Sequence, residues 1–249
     1  MKTFRAIIVV MGLAVFFANC KPNEEEPVPP PDTTPPEITV PDDTIRIGLG
    51  DRDAVLEGVT ATDSGYIDLT SSIRITNEEN LESIGSLIPI NFAVSDAAGN
   101  TQTATRMVSI NCSKLQGVYD MATSKAGGGV GDTLYGYTTT VSYNTNLPYQ
   151  IQLKNFHNSP EFNAGMSPFP ALRGDGPNRL KIVESSSAYP TSPGSSQVAL
   201  FLTGTATFAR VGSTAEYRIV SMNYKLTPEN DNDPGAISEE FNAVCTKRP

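Results

Sequence analysis

From residue 37 onward, apolar and polar side chains alternate in short runs with a period of two, and no stretch repeats apolar residues at helical spacing for long enough to compete. Ile38 and Val40 open the series, Ile45 and Ile47 continue it, and Val55, Val59, Ile73 and Ile75 follow between turn residues. The cleanest inward face is Ile90, Phe92 and Val94, answered by Val108 and Ile110 across the turn Ser95, Asp96, Ala97, Ala98, Gly99 and Asn100. This pattern predicts a sandwich over residues 37–111. Beyond it, over residues 112–249, the runs lengthen. Residues 118–121, 135–143, 150–156, 179–183, 198–202, 206–211, 216–226 and 241–246 read as eight antiparallel strands, enough for a meandering barrel or a curled sandwich. The expected fold class is all-β.

The first 36 residues follow other rules. Lys2 and Arg5 precede residues 6–18, which carry no charged or strongly polar side chain, and this is the layout of a secretory signal over residues 1–19. Thirteen helical residues would span about 20 Å against a hydrocarbon core of about 30 Å, so the segment is too short to remain as a membrane span. Six of the ten residues 27–36 are proline, a density that forbids helix and sheet. Residues 20–36 therefore read as a stiff stalk, with a reach of up to about 50 Å at about 3.1 Å per residue.

Phe17, Ala18, Asn19 and Cys20 resemble the junction of a bacterial lipoprotein signal. The resemblance implies that Cys20 becomes the N-terminus and carries a diacylglyceryl anchor. Two acyl chains are enough for stable attachment. Glu24, Glu25 and Glu26 resemble the export tag of surface-exposed lipoproteins from bacteria with polysaccharide-utilisation systems, which implies an outer-membrane location facing the cell exterior. Asp32, Thr33, Thr34, Pro35 and Pro36, then Val59 to Asp63, the 95–100 turn, and Arg106, Met107, Val108, Ser109 and Ile110 together resemble bacterial immunoglobulin-like modules. Such modules commonly act as spacers for other domains. Leu115, Gln116, Gly117, Val118 and Tyr119 resemble the opening of lipocalin-like domains in similar lipoproteins.

Charge narrows the partners. The chain has 27 acidic and 18 basic side chains, and loss of residues 1–19 with Lys2 and Arg5 shifts the balance further, to a net charge of −11. A chain this acidic has no clustered Lys and Arg for phosphate, so nucleic acid is not an expected partner. Anionic headgroups would repel it, which leaves the anchor as the link to a membrane. The expected partners are a polysaccharide or an outer-membrane transport protein.

With Cys20 acylated, Cys112 and Cys245 remain as an even pair in an oxidising compartment. Both continue inward-facing alternations, and a disulfide between them is the expectation, the alternative being two buried thiols. His157 is the only histidine, so Ser-His-Asp, Cys-His and zinc chemistry lack the residues they need. No cofactor, metal or catalytic residue is expected. Tyr135, Tyr137, Thr139, Val141 and Tyr143 share one face of a strand, either as a platform of rings suited to sugars or as the packed wall of a barrel. Tyr149 and Tyr189 flank prolines and are further candidates for exposed rings. Asp63 and Asp96 read as turn and cap residues. The 229–240 loop imitates a calcium loop but carries Pro234 where that loop needs glycine.

These readings converge on a non-catalytic, lipid-anchored surface protein in which a spacer module presents a C-terminal β-domain to an extracellular ligand such as a glycan. A structural or adhesive lipoprotein that binds another protein is the second reading. A hydrolase working through two carboxylates is the third.

Overall fold

A computed structural model describes residues 30–41, 44–64, 66–127, 135–158, 171–183, 185–190, 197–228 and 238–249. The signal segment, the lipid-attachment candidate Cys20 and most of the 229–240 loop lie outside the described residues. Residues 34–249 form one compact unit, and the fold is nearly all β.

The first part of that unit has two sheets. β1 (Glu37–Thr39), β3 (Thr60–Asp63) and β4 (Ile67–Asp68) form one. The other has the order β2 (Ile45–Gly48), β7 (Thr101–Asn111), β6 (Gly85–Ser95) and β5 (Arg74–Ile75). β2 runs parallel to β7, while β6 and β7 form the long antiparallel hairpin that the alternation predicts. Ile90, Phe92, Val108 and Ile110 are all fully buried, and each contributes about 1.5–3 kcal/mol of transfer free energy. Asp96 shapes the hairpin turn by accepting from the Asn100 backbone N–H and side-chain amide, both at 2.8 Å. A short helix that the alternation does not foretell, α1 (Arg52–Leu56), follows Gly50. Asp51 caps it by accepting from Ala54 N, and Val55 is the side chain it buries. Arg106 is buried behind the helix and donates to the carbonyls of Val55 and Glu57 at 3.0 and 2.8 Å.

The second part is a closed eight-stranded barrel. β8 (Gly117–Lys125), β9 (Tyr135–Tyr143), β10 (Gln150–Lys154), β11 (Ala171–Gly174) and β12 (Arg179–Val183) lead round one side. β14 (Gln197–Arg210), β15 (Tyr217–Pro228) and β16 (Glu239–Lys247) return along the other. β16 pairs with β8, and β12 pairs with β14 through Arg179–Thr207, Leu180–Ala206 and Lys181–Thr205, which closes the ring. β13 (Ser185–Pro190) extends the pairing at the far end of β14. The sequence pattern divides residues 198–211 into two strands at Gly204, whereas β14 runs through it unbroken. Gly204 has φ +151°, and a Cβ there would lie 2.2 Å from the Asn223 carbonyl, so only glycine lets β14 stay this close to β15.

Candidate functional site

The alternation of β8, β9, β15 and β16 sends one side chain in two into the barrel, and these four strands are neighbours. Thr123, Tyr137, Tyr224, Phe241 and Cys245 therefore converge in the interior, all buried. His157 joins them from the turn after β10. Both Asn155 (φ 57°) and His157 (φ 54°) adopt left-handed backbone, a costly conformation for non-glycine residues. Hydrogen bonds from β9 hold the turn: Asn155 Nδ2 donates to Thr138 O at 2.7 Å, and Thr139 Oγ1 donates to Asn155 O at 3.3 Å. The consequence is that the imidazole points inward, with Nδ1 2.7 Å from Tyr224 Oη. Its ring meets Phe241 edge-on at 4.8 Å, and Tyr224 stacks on Phe241 at 5.2 Å.

Every titratable group in this cluster is held neutral. Burial lowers His157 to about 4 against the opposing pull of Glu239, raises Tyr137 to about 12, and raises Tyr224 well above the ordinary phenol range. The Thr123 hydroxyl, the His157 backbone and the Tyr224 phenol surround the Tyr137 phenol. Tyr137 Oη and Thr123 Oγ1 make these contacts at less than ideal hydrogen-bond geometry.

Of the residues singled out as ligand-binding candidates, Tyr137 lies on the inner wall with 8% of its surface exposed, which selects the packed-wall alternative over the ring platform at this position. Tyr143 and Tyr149 pack, partly buried, against the core. Tyr135 and Tyr189 occupy β9 and β13, and their side chains lie outside the described residues. Alternation on β8 and β15 could have placed Thr123 and Tyr224 beside Tyr137. The left-handed turn that carries His157 has no such signal.

The expected disulfide between Cys112 and Cys245 is corrected, because both are free, buried thiols. Cys112 sits at the entry to the barrel, where its Sγ donates to Pro148 O at 3.2 Å. Cys245 faces the interior from near the C-terminal end of β16, opposite Met121. Alternation turns both inward but into different surroundings, and burial pushes each thiol up to about 12, so neither is a reactive thiolate at neutral pH.

A polar junction joins the two β-rich parts. Tyr217 Oη donates to Glu82 Oε1 at 2.7 Å and accepts from Arg210 Nη2 and Nε at 3.0 and 3.1 Å. Lys114 Nζ donates to Leu49 O at 2.6 Å and, like the Arg210 guanidinium, lies 5.5 Å from the centre of the Tyr217 ring. Close backbone approach completes the fit: a Cβ on Gly174 would lie 1.9 Å from Ile84 O. A groove of about 610 Å³ opens beside this junction, lined in part by Arg52, Glu79, Asn178 and Arg210. Both arginines there are paired, Arg52 with Glu78 and Arg210 with Glu82. A second groove of similar volume contains Lys114, Arg218, Lys247 and Arg248. Backbone carbonyls pin the two lysines, and Asp120 clamps Arg248, so most of this charge has a structural partner.

Asp63 and Asp96 bring carboxylate oxygens within 4.8 Å of each other. Desolvation pushes Asp96 up, but the hydrogen bonds from Asn100, Gly99 and Ala98 outweigh it and hold the group below the usual carboxylate range. The turn role expected for Asp96 accounts for these contacts.

No protein-family model matches the chain, and no curated protein matches it. Among solved structures, a lipoprotein from Bacteroides thetaiotaomicron is similar over 84% of this chain and 99% of that one, at 15% identity and a TM-score of 0.28. At that score the likeness assigns neither a family nor an activity.

Proposed function

We propose that the chain is a non-catalytic lipoprotein, anchored through Cys20 to the outer membrane on its outer side, in which residues 37–111 form an immunoglobulin-like module that helps to present the barrel to an extracellular ligand, a polysaccharide in the first instance. The charged signal start, the apolar run, the cysteine and the proline stalk support the anchor. The observation that carries the non-catalytic reading is that His157, Cys112 and Cys245 are all turned into the protein and held in their neutral forms. A nucleophile or base needs access to its substrate and a pKa near the working pH.

The test has two arms. Mass spectrometry of the native polypeptide is expected to find residues 1–19 removed and Cys20 acylated, and protease treatment of intact cells is expected to release the unit spanning 34–249. An unmodified Cys20 thiol, or protection from the protease, overturns the location. Glycan-array binding by the full chain is expected to be positive. Silence across plant, host and microbial glycans, together with capture of an envelope protein, would favour the adhesive reading.

A further inference from the structure

The chain has a net charge of −9, yet four of its 18 basic side chains converge on one groove. Lys114 enters it from the turn before β8, Arg218 from the start of β15, and Lys247 and Arg248 from the end of β16. The groove measures about 610 Å³, a volume suited to a small molecule. In the groove of equal volume beside the Tyr217 junction, two arginines face three glutamates. Here the balance is reversed. Lys247 Nζ donates to the carbonyls of Lys114 and Tyr217 at 3.2 and 3.4 Å, and Lys114 Nζ donates to that of Leu49. A carbonyl fixes an ammonium in place without cancelling its charge. Arg218 is exposed, with no hydrogen bond or ion pair among the described residues. Of the four, Arg248 alone has a carboxylate partner there, Asp120, and Glu216 is the one acidic side chain in the lining. Counting a carboxylate on Pro249 as well still leaves the groove positive.

We propose that this groove binds one negatively charged unit of a saccharide, a uronic acid or a sulfated sugar. The inference rests on the polysaccharide reading above for the sugar and on the groove for the charge. Arg218 offers a planar fork that matches the paired oxygens of a carboxylate or a sulfate. Lys114 and Lys247 keep donors to offer, since an ammonium carries three. Their stems run over Gly48 and Gly117, where an added Cβ would come within 3.1 and 2.7 Å of them. Stems bedded in this way and heads held by carbonyls are in place before a ligand arrives, which lowers the cost of ordering them on binding. The charged unit must be sparse along its polymer. Beyond the groove the chain is acidic, so a densely charged polymer such as nucleic acid meets repulsion there.

Calorimetric titration of the full chain tests this with two pairs of probes, digalacturonate against its methyl ester and a sulfated lactose against lactose. At least one charged sugar is expected to bind about tenfold tighter than its uncharged partner, and the pair with the larger ratio identifies the anion. Arg218→Gln removes a guanidinium that holds nothing in the fold, so the melting temperature should stay the same while affinity for the charged sugar falls about tenfold. Arg218→Lys should retain part of that affinity, and Arg52→Gln, in the other groove, all of it. If charged and uncharged sugars bind equally, or if Arg218→Gln binds the charged sugar as the parent chain does, the inference is overturned while the polysaccharide reading stands. If no sugar of either kind binds, here or on the glycan array, both fall together. Attachment to phosphatidylglycerol vesicles with neither charged sugar bound would make the partner a membrane and would also overturn it.

Discussion

Tyr217 donates its phenolic proton to Glu82 at 2.7 Å, and this one bond ties the barrel to the first β-rich part across 135 positions of sequence. Glu82 Oε2 is buried with no partner among the described residues, so the carboxylate depends heavily on what reaches Oε1. Tyr217→Phe keeps the ring between Lys114 and Arg210 but removes the donor. The expected loss is about 1.5–3 kcal/mol, the usual worth of a hydrogen bond to a charged group. Urea denaturation checks it, and a loss under about 0.5 kcal/mol would show that Arg210 alone satisfies Glu82.

Gly174→Ala is expected to be far more damaging than its chemistry suggests. The new methyl would lie 1.9 Å from the Ile84 carbonyl, a backbone atom that cannot swing aside. The junction must shift or open, and soluble yield and melting temperature should both fall sharply. Gly136→Ala, where a Cβ meets nothing within 4 Å, is the matched control and should be nearly neutral.

Acid should weaken the fold through His157. Burial lowers its pKa to about 4 in the folded chain, against about 6.5 when unfolded, so the unfolded state takes up the proton first. This contribution is fully present above about pH 6.5, declines as pH falls, and is lost by about pH 4, a span worth on the order of 3 kcal/mol. Because the chain has one histidine, a single imidazole proton resonance reports it. A titration midpoint near 4 is expected, and one at 6 or above would place the ring in contact with solvent.

The two thiols give a chemical readout of the corrected pairing. In a Cys20→Ser chain under native conditions, Cys112 and Cys245 should resist a bulky thiol reagent, since each is buried with its pKa raised to about 12. Denaturant without reductant should release both for alkylation. A mass two hydrogens lighter, with no alkylation, would restore the disulfide.

Much of the architecture can be read from local pattern. Ile90, Phe92 and Val94 alternate cleanly and are buried as that alternation requires, and Asp96, Gly99 and Asn100 build the turn their side chains favour. The long strands after Cys112 are visible for the same reason. Ring closure is not, because the pairing of Arg179 with Thr207 depends on a register between distant strands that no local signal encodes. Neither is the junction: Glu82 and Tyr217 each look like ordinary surface residues until the fold brings them together. Tyr137 was legible as one of two alternatives, a displayed ring or a wall residue, since periodicity assigns a face but not which face meets water. Its companions Thr123 and His157 were illegible as a group, because the group exists only where three strands and one left-handed turn meet.

Closure of the barrel has a consequence for life at high density. All eight of its strands are hydrogen-bonded on both sides to other strands of the ring, and β14 also carries β13, so the ring itself offers little bare backbone to which a second copy could add a strand. In the smaller four-stranded sheet, the outermost strands are only four and two residues long. A second copy can therefore extend the sheet of the barrel only at β13, the strand there that keeps a bare edge among the described residues.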